Sequence, residues 1–200
     1  MNSERVVWFN GIFVPEYEAK ISIYDSALMF GDCIFSMLRT FNKRIFKLDE
    51  HIDRLKKGLK YLHIDISYDL SDLEDIVLKT IEQNDKIFKE NDEHRILINI
   101  TRGVLSIYRD FVEHTGVNII VADFPLKYTV SGMGKLFDVG INTIIPSQRA
   151  IPSSIVETNK IKNRNRLHFM LANIEVSKYT GENNWALLQD PDGFITEGTG

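Results

Sequence analysis

A stretch without hydrophobic periodicity, residues 125–134, separates two differently patterned parts of this chain of 200 residues. It gathers proline, serine and two glycines, which interrupt helices and strands. Exposed segments of this composition commonly join domains. We therefore expect a boundary near Ser131, with an N-terminal lobe at residues 1–130 and the start of a C-terminal lobe at residues 131–200.

The N-terminal part combines strand and helix signals. Asn10-Gly11 favours the left-handed backbone of a tight hairpin turn. Apolar residues recur at helical spacing after Asp49, which can act as an N-cap. We expect strands at Val6–Phe9, Ile12–Val14, Ile45–Leu48, Arg95–Thr101 and Val117–Ala122, and helices after Asp49 and over Leu73–Gln83.

The C-terminal part carries its own signals. We expect strands around Phe137–Ile145, at Asn184–Gln189 and at Phe194–Glu197, the last two joined by the turn Asp190–Gly193. A helix that ends at Gly181 presents one apolar face, formed by Leu167, Met170, Leu171 and Ile174. Trp8 and Trp185 are expected in the core. Strands mixed with helices predict an α+β fold.

Composition excludes several classes of protein. Hydrophobic residues make up 44% and charged residues 26%, as in ordinary soluble proteins. The net charge of −4 and the absence of a basic stripe give no support for nucleic-acid binding, so we expect a small-molecule partner. The single Cys33 excludes an internal disulfide and a cysteine metal cluster and favours a reducing compartment. No apolar run suggests export or a membrane helix, so we expect a cytoplasmic protein without a metal site.

Lys162 is the most reactive candidate side chain. It lies in a cationic run, residues 159–166, ahead of the predicted helix, and a solvated basic loop is the simplest interpretation. Covalent chemistry needs a neutral amine, whereas a free lysine has a pKa of about 10.4. Neighbouring cations and the positive end of a helix both lower the pKa of a lysine. Lys160 is a rival, because residues two apart in an extended segment share a face.

Glu197 ends the last predicted strand, which we expect to be buried, and leads into Gly198-Thr199-Gly200, where small residues allow close approach of backbone amides to a ligand. A simple hairpin glutamate is the alternative interpretation. A lysine amine that can form a Schiff base, with a carboxylate that keeps a pyridine nitrogen protonated, meets the needs of pyridoxal phosphate chemistry. The two residues together therefore suggest pyridoxal phosphate as cofactor.

Arg54 lies off the apolar stripe of its predicted helix. A surface ion pair with Glu50, one helical turn earlier, is one interpretation. The other is a guanidinium that binds a phosphate. His51 borders the stripe and is expected to be a packed histidine, and Cys33 a small buried residue.

Five landmarks in this order resemble the fold-type IV pyridoxal phosphate enzymes, the class IV aminotransferases. That family includes branched-chain aminotransferases, D-amino acid transaminases and aminodeoxychorismate lyases. The resemblance implies two lobes, a small N-terminal α/β lobe and a larger β-barrel-like C-terminal lobe that is incomplete here. The landmarks are Phe30-Gly31-Asp32-Cys33-Ile34-Phe35, His51-Ile52-Asp53-Arg54-Leu55, Thr101-Arg102-Gly103, Lys162 followed by Asn165-Arg166-Leu167, and Ile195-Thr196-Glu197-Gly198-Thr199-Gly200.

The resemblance also implies roles for individual residues. The family's spacing between its lysine and a helix glutamate, here Glu175, selects Lys162 over Lys160. Arg54 then binds the cofactor phosphate and Glu197 the pyridine nitrogen, with Gly198, Thr199 and Gly200 beside the ring. The implied activity moves an amino group between an amino acid and a 2-keto acid, and the implied assembly is a homodimer.

Departures from the family pattern leave the substrate open. Phe35 occupies a position that lines the substrate side in relatives, but Ser36 stands where many transaminases carry Glu. The arginines that bind the substrate carboxylate in relatives fall on Leu97 and Ile107, which leaves Tyr108 and Arg109 as candidates. An aminodeoxychorismate lyase is the nearest enzymatic alternative. Because relatives continue beyond the last residue, a non-catalytic truncated remnant that binds a partner is the alternative of another class.

Overall fold

A computed structural model describes residues 4–113, 116–150 and 161–199. The described chain forms two compact units. The first runs to Lys127 and includes residues 161–165, and the second comprises the described residues from Tyr128 to 150 and from Arg166 to 199. The expected division into lobes at residues 1–130 and 131–200 stays a prediction. That division does not include the assignment of residues 161–165 to the first unit.

The first unit is built on a six-stranded antiparallel sheet with the order β2-β1-β6-β5-β3-β4. In its described residues, three helices and two 3₁₀ turns, Glu16–Glu18 and Ser106–Phe111, accompany this sheet. The elements in chain order are β1 Val6–Phe9, β2 Ile12–Pro15, α1 Ser26–Phe30, β3 Cys33–Phe41, β4 Arg44–Ile45, α2 Leu48–Leu62, α3 Leu70–Asp85, β5 His94–Thr101 and β6 Asn118–Pro125.

The two faces of this sheet differ. One face packs against α2 and α3, because alternate strand positions are apolar and buried. The opposite face carries partly exposed side chains on β5, namely Arg95, Leu97 and Asn99. The core of the first unit contains Trp8, Ile34, Leu38, Ile52, Leu55, Leu59, Val77, Ile96, Ile98, Ile100 and Val121.

Several predicted element boundaries in the first unit were wrong. The strand expected at Ile45–Leu48 is only Arg44–Ile45, and α2 already begins at Leu48. Lys47, with a φ of 53°, occupies the N-cap position instead of Asp49, which lies in the first helical turn. An acidic residue is favourable there because it faces the positive end of the helix dipole. The helix expected at Leu73–Gln83 spans Leu70–Asp85.

The second unit contains a three-stranded sheet of β7, β8 and β9, in which β7 is parallel to β8 and β8 antiparallel to β9. The predicted strand around Phe137–Ile145 is instead a short helix followed by a short strand. A four-residue helix, α4, follows β6 where the chain passes between the units. The elements are α4 Lys127–Val130, α5 Leu136–Val139, β7 Asn142–Ile144, α6 Leu167–Val176, β8 Asn184–Gln189 and β9 Ile195–Gly198.

Helix α6 buries a different face from the predicted one. Phe169, Ala172 and Val176 pack with Ala186 and Leu188 of β8, whereas the predicted face is exposed, with Leu167 at 68% and Ile174 at 53%. Both sets of residues are apolar and recur at helical spacing, so periodicity alone could not choose between them. The helix also ends at Val176 instead of Gly181, and Trp185 is only half-buried. None of the helices in the described residues is long and apolar enough to span a membrane.

A buried histidine joins two carboxylates in the first unit. His94 Nδ1 lies 2.8 Å from Asp123 Oδ2, and its Nε2 lies 3.0 Å from Asp85 Oδ1. A neutral imidazole donates from only one nitrogen, so two ionised carboxylates are both satisfied only by the protonated ring. Burial opposes this charge, but the hydrogen bond and charge of Asp123, helped by Asp85, outweigh it and raise the pKa of His94.

We expect the free energy of unfolding to fall as the pH rises above about 6.5, the usual value for an unfolded histidine. Because the folded pKa is raised, the stabilisation is fully present below the unfolded value and is lost as the pH rises through the folded pKa. Urea unfolding of the wild type and of His94→Gln at about pH 6 and pH 8 measures this loss. An equal change in both proteins would contradict the assignment.

Candidate active site

A short extended segment, residues 162–164, adds to the outer edge of β3. The Phe35 amide donates to the Lys162 carbonyl at 2.9 Å, and the Arg164 amide donates to the Cys33 carbonyl at 3.1 Å. Asn163 bridges Ile34 in antiparallel register between them. Alternation along an extended segment places the Lys162 and Arg164 side chains on one face. Backbone pairing to a strand of the first unit therefore positions the lysine.

Both cations lie against one aromatic ring. Lys162 Nζ is 4.8 Å from the centroid of the Phe35 ring, and the Arg164 guanidinium carbon is 3.8 Å from the same centroid. Arg164 Nε and Nη2 also donate to Asn99 Oδ1 at 3.2 and 2.8 Å. Phe35 itself is 5% exposed, so its ring is held in place and both side chains pack against it. The predicted residues Lys162 and Phe35 are therefore brought together.

Arg54 lies in a second cluster beside Phe35, on the helix side of β3. The buried Ser36 Oγ is 2.7 Å from His51 Nδ1, and Arg54 Nη2 is 3.3 Å from both of these atoms. A guanidinium only donates hydrogen bonds, so its contact requires Nδ1 of His51 to be the acceptor and places the ring proton on Nε2. Burial, and then the nearby Arg54 charge, lower the pKa of His51. The cluster thus presents a neutral histidine and a cationic arginine.

The Arg54 guanidinium is not engaged in the surface pair that was one interpretation of its sequence. Glu50 pairs instead with Lys47 on the exposed side of α2. Among the residues that the structure describes, Arg54 Nε is a buried donor without a hydrogen-bond partner. A buried, unsatisfied cationic donor is costly unless an acceptor binds it. This donor therefore fits an anion such as phosphate.

The predicted residues of the second unit lie at its last strand. Glu197 of β9 is opposite Leu188, and it is exposed, so the expectation of a buried-strand glutamate was wrong for this structure. Thr199 Oγ1 donates to Asn173 Oδ1, which ties the loop after β9 to α6. Gly198 is the last residue of β9, and Gly200 lies outside the described residues. Glu175 of α6 accepts hydrogen bonds from Ser147 N and Oγ.

The two other substrate candidates lie in the 3₁₀ turn of the first unit. The Tyr108 ring packs against Tyr24, with 5.2 Å between ring centroids, and Arg109 is exposed. Their contact with a substrate stays a prediction. Sequence reasoning missed Arg164 and Asn99 as neighbours of the lysine. The spacing of Lys162 and Arg164, two apart in an extended segment, was the signal that could have identified Arg164.

Several known proteins are similar to this chain in sequence. The chain matches the family model of class IV amino-transferases over residues 34–200. It is 33% identical over 194 residues to a Methanocaldococcus jannaschii protein with a provisional name as a branched-chain-amino-acid aminotransferase, covering 97% of this chain and 62% of that protein. It is 25% identical over 194 residues to a D-alanine aminotransferase of Staphylococcus epidermidis, covering 96% of this chain and 62% of that enzyme.

The fold is similar to that of the T.th. branched-chain amino acid aminotransferase, crystallised with 4-methylvaleric acid and separately with pyridoxamine 5'-phosphate. Each comparison gives a TM-score of 0.78 and 25% identity, and covers 98% of this chain and 62% of that chain. The chain thus spans less than two thirds of these relatives. The expected α+β, fold-type IV architecture is confirmed. With the family model matching most of the sequence, these findings show that the chain belongs to the class IV aminotransferases.

Proposed function

We propose that the full-length protein is a pyridoxal 5'-phosphate-dependent aminotransferase that moves an amino group between an amino acid and a 2-keto acid. The observation that carries this proposal is the position of Lys162, paired to β3 and resting on Phe35. The names of the relatives support a branched-chain or a D-amino acid as donor. Of these two, the higher identity favours a branched-chain amino acid.

The residues present fit this cofactor. Arg54 offers a buried, unsatisfied donor to the phosphate group, beside the neutral His51. Lys162 supplies the amine that binds the aldehyde carbon. By resemblance, Glu197 would hold the pyridine nitrogen, with Gly198, Thr199 and Gly200 beside the ring. When bound, the cofactor withdraws electrons from the substrate α-carbon and so stabilises its carbanion.

The second role proposed for Lys162 is that of a general base. With an amino-acid substrate bound, Lys162 Nζ would accept the proton from the substrate α-carbon. The same nitrogen later returns a proton to the reacting centre. Positioned proton transfer of this kind contributes roughly 10²–10⁴ in rate. Phe35 limits where Nζ can lie, since the ammonium form is attracted to the face of the ring.

Replacing Arg54 by glutamine should weaken cofactor binding roughly 10- to 100-fold, because one charge-assisted contact to the phosphate is lost. The dissociation constant is measured by titration of pyridoxal 5'-phosphate against protein fluorescence. Pyridoxal, which lacks the phosphate, is the matched control ligand, and its affinity should be nearly the same in the wild type and the variant. An equal loss for both ligands would instead indicate a disturbed fold.

The assembly and the compartment are further parts of the proposal. We propose a homodimer in the cytoplasm, as the family resemblance implies. Neither a nucleic acid nor a membrane is expected as a partner. Size-exclusion chromatography with light scattering measures the oligomeric state, and a monomer at micromolar concentration would contradict the proposed dimer.

The proposed function is tested by supplying the full-length protein with pyridoxal 5'-phosphate and a panel of L- and D-amino acids, with 2-oxoglutarate or pyruvate as acceptor. Chromatography then identifies the new amino acid. We expect amino transfer, fastest with a branched-chain donor. Pyruvate release from aminodeoxychorismate without amino transfer would indicate the lyase. A folded protein that binds no cofactor would indicate the non-catalytic alternative.

A further inference from the structure

We propose that Arg164 binds the α-carboxylate of the amino-acid substrate and of the keto-acid product. This inference rests on the proposed function and adds a specificity-determining residue to it. Arg109, the cation considered from the sequence for this contact, is exposed in the 3₁₀ turn Ser106–Phe111. Arg164 is the cation that the structure places on the same ring as the reactive lysine.

The geometry suits an α-amino acid. Lys162 Nζ and the Arg164 guanidinium carbon are 4.8 and 3.8 Å from one ring centroid, so their separation cannot exceed the sum of these distances. In an α-amino acid, the carboxylate carbon lies only about 2.5 Å from the amino nitrogen. A substrate whose nitrogen reacts beside Lys162 therefore carries its carboxylate within reach of Arg164.

Asn99 fixes the direction of the guanidinium. Its Oδ1 accepts from Arg164 Nε at 3.2 Å and from Nη2 at 2.8 Å, and Asn99 faces Phe35 across the β3–β5 ladder. A guanidinium held along its Nε–Nη2 edge has a second edge, formed by Nη1 and Nη2, that matches the two oxygens of a carboxylate. Because the group is held by Asn99 and by the ring, less conformational entropy is lost on binding.

The charge of this sheet face favours an anionic ligand. The side chains that share the face with Phe35 and Asn99 include Arg39 and Arg95, which are opposite each other on β3 and β5. Within β3, β5 and β6, all of which the structure describes, none of the strand positions on this face carries a carboxylate, although the buried Asp25, ahead of α1, accepts hydrogen bonds from Thr101 and Asn118 at one end of the face. An anion that approaches the face is therefore attracted, whereas a neutral amine without a carboxylate gains nothing.

The test compares acids with their amides, which have nearly the same shape but lack the negative charge of the carboxylate. Calorimetry on the cofactor-loaded, full-length protein measures the affinity for 4-methylvalerate, the acid found in the T.th. enzyme, and for 4-methylvaleramide. The rate of the first half-reaction is measured with leucine and with leucinamide. We expect Arg164→Gln to weaken binding of 4-methylvalerate and to slow the half-reaction of leucine, each roughly 10- to 100-fold. The affinity for 4-methylvaleramide and the rate with leucinamide should change little. Arg164→Lys keeps the positive charge but loses the bidentate geometry of the guanidinium. Its affinity for the acid and its rate with leucine should lie between those of the wild type and those of Arg164→Gln.

The control variant is Arg95→Gln, which removes a charge from the same sheet face without removing the proposed contact. Because this charge contributes only to the general attraction, the acid-to-amide ratio should fall by less than about 2-fold, far below the loss expected for Arg164→Gln. If Arg164 only supports Phe35, then Arg164→Gln weakens the binding of acids and of amides equally. This result would overturn the inference while the proposed function stands. If the wild type forms no cofactor complex and transfers no amino group, the proposed function fails and this inference fails with it.

Discussion

Lys162→Arg is expected to slow amino transfer by at least roughly 10²–10⁴-fold, because the variant loses the positioned base and the nucleophile together. Arginine keeps a cation over the Phe35 ring, so the packing seen in the structure is largely retained. A guanidinium stays protonated in proteins, however, and neither accepts the α-proton nor bonds to an aldehyde. Single-turnover absorbance changes with a branched-chain amino acid measure the rate.

Covalent attachment provides the second readout for this variant. Borohydride reduction of the cofactor-loaded wild type should leave a stable mass increase on the peptide that contains Lys162, and Lys162→Arg should show none. Lys160→Arg is the matched control, since Lys160 was the rival in the sequence, and it should keep both the mass increase and the rate. Attachment that disappears in Lys160→Arg and persists in Lys162→Arg would reverse the assignment.

Gly103→Ala should destabilise the first unit by about 3 kcal/mol or more. Gly103 has a φ of +84°, and an added Cβ would lie 1.9 Å from the carbonyl oxygen of Gly116. Both the left-handed backbone and the collision with another backbone carry a cost, and neither is relieved by a rotamer change. The residue is also anchored, since its carbonyl accepts from Ser26 and its amide donates to Thr101 Oγ1. Urea unfolding followed by circular dichroism measures the change.

Gly31→Ala is the matched control for this effect. Gly31 also has a left-handed φ, +69°, but an added Cβ would meet Asn165 only at an ordinary contact distance of 3.5 Å. It lies in the same unit, so both variants report the same unfolding transition. We expect a loss of about 1–2 kcal/mol from the backbone conformation alone. Similar losses in the two variants would show that the loop around Gly116 yields to the added methyl group.

Short-range patterns predicted much of the first unit. The Asn10-Gly11 turn predicted the β1-β2 hairpin, and the alternation in Arg95–Thr101 predicted β5, because both depend on neighbours along the chain. By resemblance, the order of the landmarks selected Lys162 and Arg54 as candidate site residues, and their roles stay predictions.

Only the tertiary structure decided which groups surround those residues. Helix α6 has two apolar stripes, and the strand it packs against selects Phe169, Ala172 and Val176. His94 lies between Asp85 and Asp123, 9 and 29 residues away, a pairing that no local pattern encodes. Arg164 and Asn99 are 65 residues apart and meet because residues 162–164 pair with β3, which in turn pairs with β5. Periodicity describes contacts within a few residues, whereas strand pairing joins distant segments, so the surroundings of the site depend on the fold.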